Sequence, residues 1–220
     1  MKVFSKIMIA FLAISLFIAC KNTPEGEAAK VGDAAKDVAT ASATAKQFSV
    51  TDGTVYWTAT KVGGQHSGTI TVNRGVLSTD GANLSSGKFG LDMTALQITD
   101  GTPDDMKVKL SGHLASPDFF DVENNPNGVF EIVSVAPAAG NEEVTHNITG
   151  NLTLKGITKS ITFPANVIIA GDKLTAVTPK FTINRLEWDI KYNAGILGTA
   201  ADKIIHDDIS LNIELNAQAQ

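Results

Sequence analysis

A lone thiol, four imidazoles and three adjacent acid pairs are the side chains here whose types could do chemistry. The four histidines, His66, His113, His146 and His206, show none of the short spacings of a metal-ligand pair, and no second cysteine joins them. No metal site is therefore expected. The acid pairs are Asp104-Asp105, Glu142-Glu143 and Asp207-Asp208. Adjacent residues on a strand point to opposite faces, so such a pair does not converge on one substrate atom. A pair opening a helix is explained by the helix dipole. Nucleophile elbow, phosphate loop and dinucleotide fingerprint are all absent. No catalytic residue is assigned, and an enzyme is not expected.

Cys20 has a more specific setting. It follows Leu16-Phe17-Ile18-Ala19, at the end of an apolar run. Lys2 and Lys6 supply a basic start, Ile7 to Ile18 is apolar except for Ser15, and Ala19 is a small residue at a cut site. A run of about a dozen residues is short of the roughly 20 that a spanning helix needs. The arrangement resembles a bacterial lipoprotein signal, with residues 1–19 removed and Cys20 acylated, palmitate being one such chain. An ordinary secretory signal is the competing reading. Acyl chains contribute about 0.8 kcal/mol per buried CH₂, and more than one gives a stable anchor. Lys21 after the cysteine, rather than Asp, resembles signals for outer-membrane sorting. The expected address is the cell envelope, lipid-anchored to the outer membrane and facing the periplasm.

From Lys21 to Gln47 the chain is rich in Ala, Lys, Glu, Asp, Thr and Gly. Residues 20–47 are read as the lipidated cysteine and a flexible tether. About 27 flexible residues reach roughly 30 Å. Residues 48–220 suffice for one domain with a sizeable core. The net charge is −5, from 18 basic and 23 acidic residues, with no basic patch, so no nucleic-acid partner is expected.

The elements that must position any site are short alternating runs between 19 glycines. Strands are expected over Thr54–Val62, His66–Val72, Val76–Thr79, Ser86–Met93, Phe130–Val135, His146–Leu154, Ile161–Ile169, Lys180–Ile190 and Ile209–Leu215. Gly63-Gly64, Asn73-Arg74-Gly75, Asp80-Gly81 and Gly171-Asp172 read as turns. A parity switch near Arg185 predicts a bulge or kink. Thr102 to Leu114 is a short helix, with Thr102 as cap, Pro103 in the first turn, and Met106, Leu110 and Leu114 along one face. About eight strands with short links give an all-β, up-and-down antiparallel fold. Closure into a barrel removes exposed edges, and a two-sheet sandwich competes with it. The apolar stripe fits a filled core as well as a lined cavity.

The stretch His113-Leu114-Ala115-Ser116-Pro117-Asp118-Phe119-Phe120-Asp121-Val122 resembles the central signature of the YceI-like lipid/polyisoprenoid-binding family. Gly64-Gln65-His66-Ser67-Gly68 and Gly87-Lys88-Phe89 precede it in the usual order. Gly150-Asn151-Leu152-Thr153-Leu154-Lys155-Gly156-Ile157-Thr158-Lys159 and Asn184-Arg185 follow. Where the family usually carries a Tyr-Pro-Thr-like turn, this chain has Asn124-Asn125-Pro126-Asn127-Gly128: the proline is kept and the aromatic is not.

The resemblance implies a lipocalin-like barrel of about eight strands with one helix, holding an isoprenoid or quinone-like lipid and using no other cofactor. Candidate lining or mouth residues are Trp57, Ile70, Phe89, Leu91, Met93, His113, Phe119, Phe120, Phe130, Ile132, Leu152, Leu154, Phe163, Val167, Phe181, Ile183, Leu211 and Ile213. Phe119 and Phe120 read equally as a plug of one barrel end and as the rim of an opening. Expected partners are the lipid and, through the anchor, a membrane. A homodimer, a lipid-modifying enzyme and a structural lipoprotein with a filled core stay open.

Overall fold

The computed structural model describes residues 23–138, 143–195 and 199–220. The expected export signal, Cys20 and Glu142 lie outside them. In chain order the strands are β1 (Glu27–Ala28), β2 (Lys30–Asp33), β3 (Lys46–Lys61), β4 (Gly64–Asp80), β5 (Asn83–Ile98), β6 (Asn127–Pro137), β7 (His146–Leu154), β8 (Ile157–Ala170), β9 (Lys173–Val177), β10 (Phe181–Asn184) and β11 (Ile205–Ala219). One helix, α1 (Asp104–Ala115), lies between β5 and β6.

Strands β3 to β8 pair in sequence order, each antiparallel to the next. β11 pairs with β3, and β9 bridges β8 to β11. The result is a closed antiparallel barrel of eight strands, which settles the choice against a sandwich. Closure leaves no free edge along most of the wall. Turns at Val62-Gly63 and Lys155-Gly156, the loop after β10, and α1 gather at one end, called here the helix end. The β4–β5 and β8–β9 turns mark the far end.

Several sequence expectations need correction. Asn73-Arg74-Gly75 is not a turn: β4 runs through it, with register shifts between Thr69 and Arg74. The chain bends there without reversing, as bulges allow. Lys180–Ile190 is not one strand. β10 stops at Asn184, a 3₁₀ turn covers Arg185–Trp188, and Asp189 closes it at φ 56°. That turn is the source of the parity switch. Pro103, not Thr102, caps α1, and Thr102 donates its N–H to Asp100 instead. Strand β9 gave no separate signal, since five residues are too few to show a period.

The expected tether differs most. β1 pairs parallel with β10 and β2 pairs antiparallel with β8, so part of residues 20–47 lies in the barrel wall. β3 also begins two residues before the expected domain start, at Lys46. The segment carries few large apolar residues, and backbone pairing, which needs no such residues, holds it.

The far half of the barrel is mostly filled by side chains. Phe48, Leu77, Leu84, Ile132, Ile148, Ala165, Leu174 and Leu215 are buried there. Gly150 shows how tight the wall is. A Cβ at this position would stand 2.2 Å from the Phe130 ring and 2.8 Å from the Glu131 carbonyl oxygen, so only glycine lets Phe130 cross to the interior.

Candidate functional site

Period two along each strand sends one set of side chains inward. On β3 these are Val55, Trp57 and Ala59. On β8 they are Ile161 and Phe163, and on β11 Ile209, Leu211 and Ile213. With inward residues of the other strands they line a cavity of about 340 Å³ in the helix half. Leu110 and Leu114 of α1, with Phe119 and Phe120 after it, also border the cavity.

Four phenylalanines run across its floor. Ring centroids are 5.2 Å apart for Phe89–Phe130, 5.5 Å for Phe130–Phe163 and 4.7 Å for Phe163–Phe181, the last pair stacked at 5°. Beyond the floor, Leu77, Ile132, Ile148 and Leu215 help to enclose a void of about 40 Å³. The interior is thus neither wholly filled nor wholly open.

Most of the sequence-derived candidates meet at the main cavity, namely Trp57, Ile70, Phe89, Leu91, His113, Phe119, Phe120, Phe130, Leu152, Leu154, Phe163, Phe181, Ile183, Leu211 and Ile213. Three do not. Ile132 borders the small void, while Met93 and Val167 are buried in packed core. They share the inward parity of true lining residues, and parity alone does not report depth along the barrel. On α1, Met106 is 48% exposed, while Leu110 and Leu114 of the same expected face border the cavity.

The sequence reading missed Val55, Ala59 and Ile209, which flank identified residues at two-residue spacing. The alternation could have found them. Trp188, Ile190, Tyr192, Asn193, Asp202, Lys203 and Ile205 come from the 3₁₀ turn, the loop after it and the start of β11. Trp188 and Ile190 lie on the second parity of the expected Lys180–Ile190 strand, while no periodicity marks the other five.

Polar groups gather at the helix end. His66 borders the cavity, and its Nδ1 lies 3.0 Å from Asp100 Oδ2, which also accepts the Ser67 N–H. Burial acts to raise the Asp100 carboxyl, but bonds from Thr102, Ser67 and His66 outweigh it and hold the group well below the usual carboxylate range. His113 packs edge-on against Phe119 at 5.0 Å and Tyr192 at 4.5 Å, while its Nε2 reaches Asp118 at 3.1 Å. Phe119 is buried against this ring and borders the cavity.

Arg185 is buried beneath this rim. Its guanidinium donates to the carbonyls of Ile190, Tyr192, Ile205 and His206, and to Asp207 at 3.2 Å. Burial pulls its pKa down and Asp207 pulls it back up. This residue ties the loop after β10 to the start of β11. In the turn that lacks the aromatic, Asp121 sits at φ 48° and its carboxylate accepts from the side chains of Asn124 and Asn125. Local amide bonds close the turn.

An eight-stranded antiparallel barrel with a helix at its rim and an apolar chamber below defines the class of closed β-barrels with an internal cavity. The chain belongs to the YceI-like domain family, which matches residues 31–217. A UPF0312 protein of Pseudomonas aeruginosa is 30% identical over 129 residues, spanning 59% of this chain and 57% of that protein. One from Pseudomonas putida is 32% identical over 91 residues, 41% of this chain and 43% of that one. The chain thus aligns with 57% of the length of the first of these relatives and 43% of the second. Among solved structures, BcnA of Burkholderia cenocepacia superposes with a TM-score of 0.58 at 22% identity, covering 76% of this chain and 96% of that one. A polyisoprenoid-binding domain from Saccharophagus degradans gives 0.54 at 11% identity, covering 79% and 98%. These similarities establish the fold.

Proposed function

We propose that this barrel holds a long apolar chain of isoprenoid type in the chamber between α1 and the phenylalanine floor, without a chemical step. The chamber carries the reading: about 340 Å³ lined mostly by aliphatic and phenyl groups, with the polar side chains at the helix end. That volume lies toward the lower end of the 300–1,000 Å³ usual for ligand sites. Burial at about 25 cal/mol per Å² favours an extended hydrocarbon there. The fold shared with a polyisoprenoid-binding domain supports the same class of ligand.

The second half of the proposal is location. Acylated Cys20 anchors the barrel to the outer membrane on its periplasmic side, where it carries, stores or shields a lipid. The basic start, the apolar run, Ala19 before the cysteine and Lys21 after it support this.

The test is mass spectrometry of organic extracts of the protein purified from its native envelope. A prenyl lipid at near-stoichiometric amount is expected. Protein that is folded and consistently free of lipid would overturn the reading.

A further inference from the structure

The barrel is closed differently in its two halves. At the far end β9 joins β8 to β11 directly, through Asn166–Ala170 and Glu214–Gln218. In the helix half β8 and β10 do not pair, and the strand formed by β1 and β2 lies between them. Its first part pairs with β10, Glu27 opposite Phe181 and Ala28 opposite Thr182, and the Ala29 N–H donates to the Thr182 carbonyl at 2.8 Å. Its second part pairs with β8, Lys30 to Asp33 opposite Thr162 to Lys159. Each part is thus laddered on one side.

This strand is held mainly by polar contacts. Glu25 pairs with Lys180, the Ser210 hydroxyl donates to the Glu25 carbonyl, and Asp33 pairs with Lys159 at 3.4 Å. Asn151 clasps Ala35 from both sides, accepting its N–H at 2.9 Å and donating to its carbonyl at 2.8 Å. Within the strand only Ala29 and Val31 pack against the core, both half-buried. Little apolar burial opposes release, which places the strand at the low-stability end of the molecule.

What it covers is the cavity wall. Ile161 and Phe163 on β8 face Phe181 and Ile183 on β10, and all four line the chamber. Neighbouring strands lie about 4.8 Å apart, so removing one leaves roughly 10 Å between backbones; the stacked Phe163 and Phe181 rings close the floor side of this slot, and its open part lies toward Ile161 and Ile183. A hydrocarbon chain touching each side at about 4 Å passes through such a slot.

We propose that the segment Glu25–Ala35 is a releasable strap, and that the apolar chain enters and leaves sideways between β8 and β10 when it peels away. This rests on the reading of the chamber as a lipid site. The strap begins five residues after Cys20. At no more than ~3.6 Å per residue, an anchored Cys20 holds Glu25, the first residue of the seated strap, within about 18 Å of the bilayer.

The test locks the strap. Gly32 and Ser160 are directly opposed, and a Cβ at Gly32 meets nothing within 4 Å. Opposed antiparallel residues have Cα separations of about 4.5–5.5 Å, inside the range a disulfide accepts. In the full chain carrying Cys20→Ser, the pair Gly32→Cys and Ser160→Cys leaves no other thiol. Stopped-flow fluorescence follows a dansyl-labelled geranylgeranyl chain. Oxidation is expected to slow both association and dissociation at least tenfold, with the equilibrium constant changed less than threefold.

Equal rates in the oxidised and reduced protein, with binding intact, would overturn the strap and leave the chamber reading standing. No binding in the reduced protein would overturn both. A second variant works in the opposite direction. Gly26 sits at φ +120°, and a Cβ there would lie 2.6 Å from the Lys180 carbonyl. Gly26→Ala is expected to loosen the strap and speed both rates several-fold, with the near-ultraviolet circular dichroism of the barrel retained. A folded Gly26→Ala protein with unchanged rates would count against the strap.

Discussion

Thr79 and Trp57 each bury a polar atom that has no hydrogen-bond partner among the described residues. A buried orphan hydroxyl costs about 1–3 kcal/mol. Thr79, 1% exposed, is therefore expected to gain on replacement. Thr79→Val keeps the shape and should raise stability by about 1 kcal/mol, read as a higher urea midpoint at unchanged slope. Asp100 has the opposite character. Its carboxyl titrates well below the unfolded value near 3.8, so its charged form stabilises the fold fully above about pH 4. That contribution is lost as the pH falls from there toward the folded value. Urea melts of Asp100→Asn should show a deficit at pH 7 that shrinks at pH 3. The first of these residues was not legible in the sequence, since nothing in a strand pattern says whether a hydroxyl finds a partner. Asp100 was no more visible. It closes a cluster with His66, Ser67 and Thr102 that only the β4–β5 register brings together.

At the scale of elements, alternation located the inward faces of β5, β7, β8 and β11, because one side of each is wetted and the other buried. It could not locate the floor. Phe89, Phe130, Phe163 and Phe181 come from four strands, and their level along the barrel depends on register, which side-chain patterns do not encode. The floor limits how far a chain can reach. Replacing Phe163 with Leu should open a path toward the void beside Ile132 and Ile148. Stability should fall by about 1–2 kcal/mol. Among prenyl alcohols of increasing length, the best-bound one should shift to a longer chain, measured by competition against a fluorescent probe. An unchanged length preference would show that the floor is not the stop.

For the whole molecule, the sequence reading separated a tether from a domain on composition, and the structure shows how far that separation fails. A polar, alanine-rich segment has no hydrophobic signature, yet main-chain hydrogen bonds suffice to place it in the wall. Cys20→Ser should move the protein from the membrane fraction to the soluble envelope fraction on cell fractionation. The fold and the lipid binding of the purified barrel should persist. The same wall has a consequence for biogenesis. Residues 27–33, the first strand made, close against residues 159–182, and β3 closes against β11, the last. Contacts so distant in sequence form slowly, because each must first overcome the entropy of closing a long loop. A chain synthesised from its N-terminus therefore has no complete barrel until its final strand is available. Until then it stays open and threadable, and sealing waits for β11.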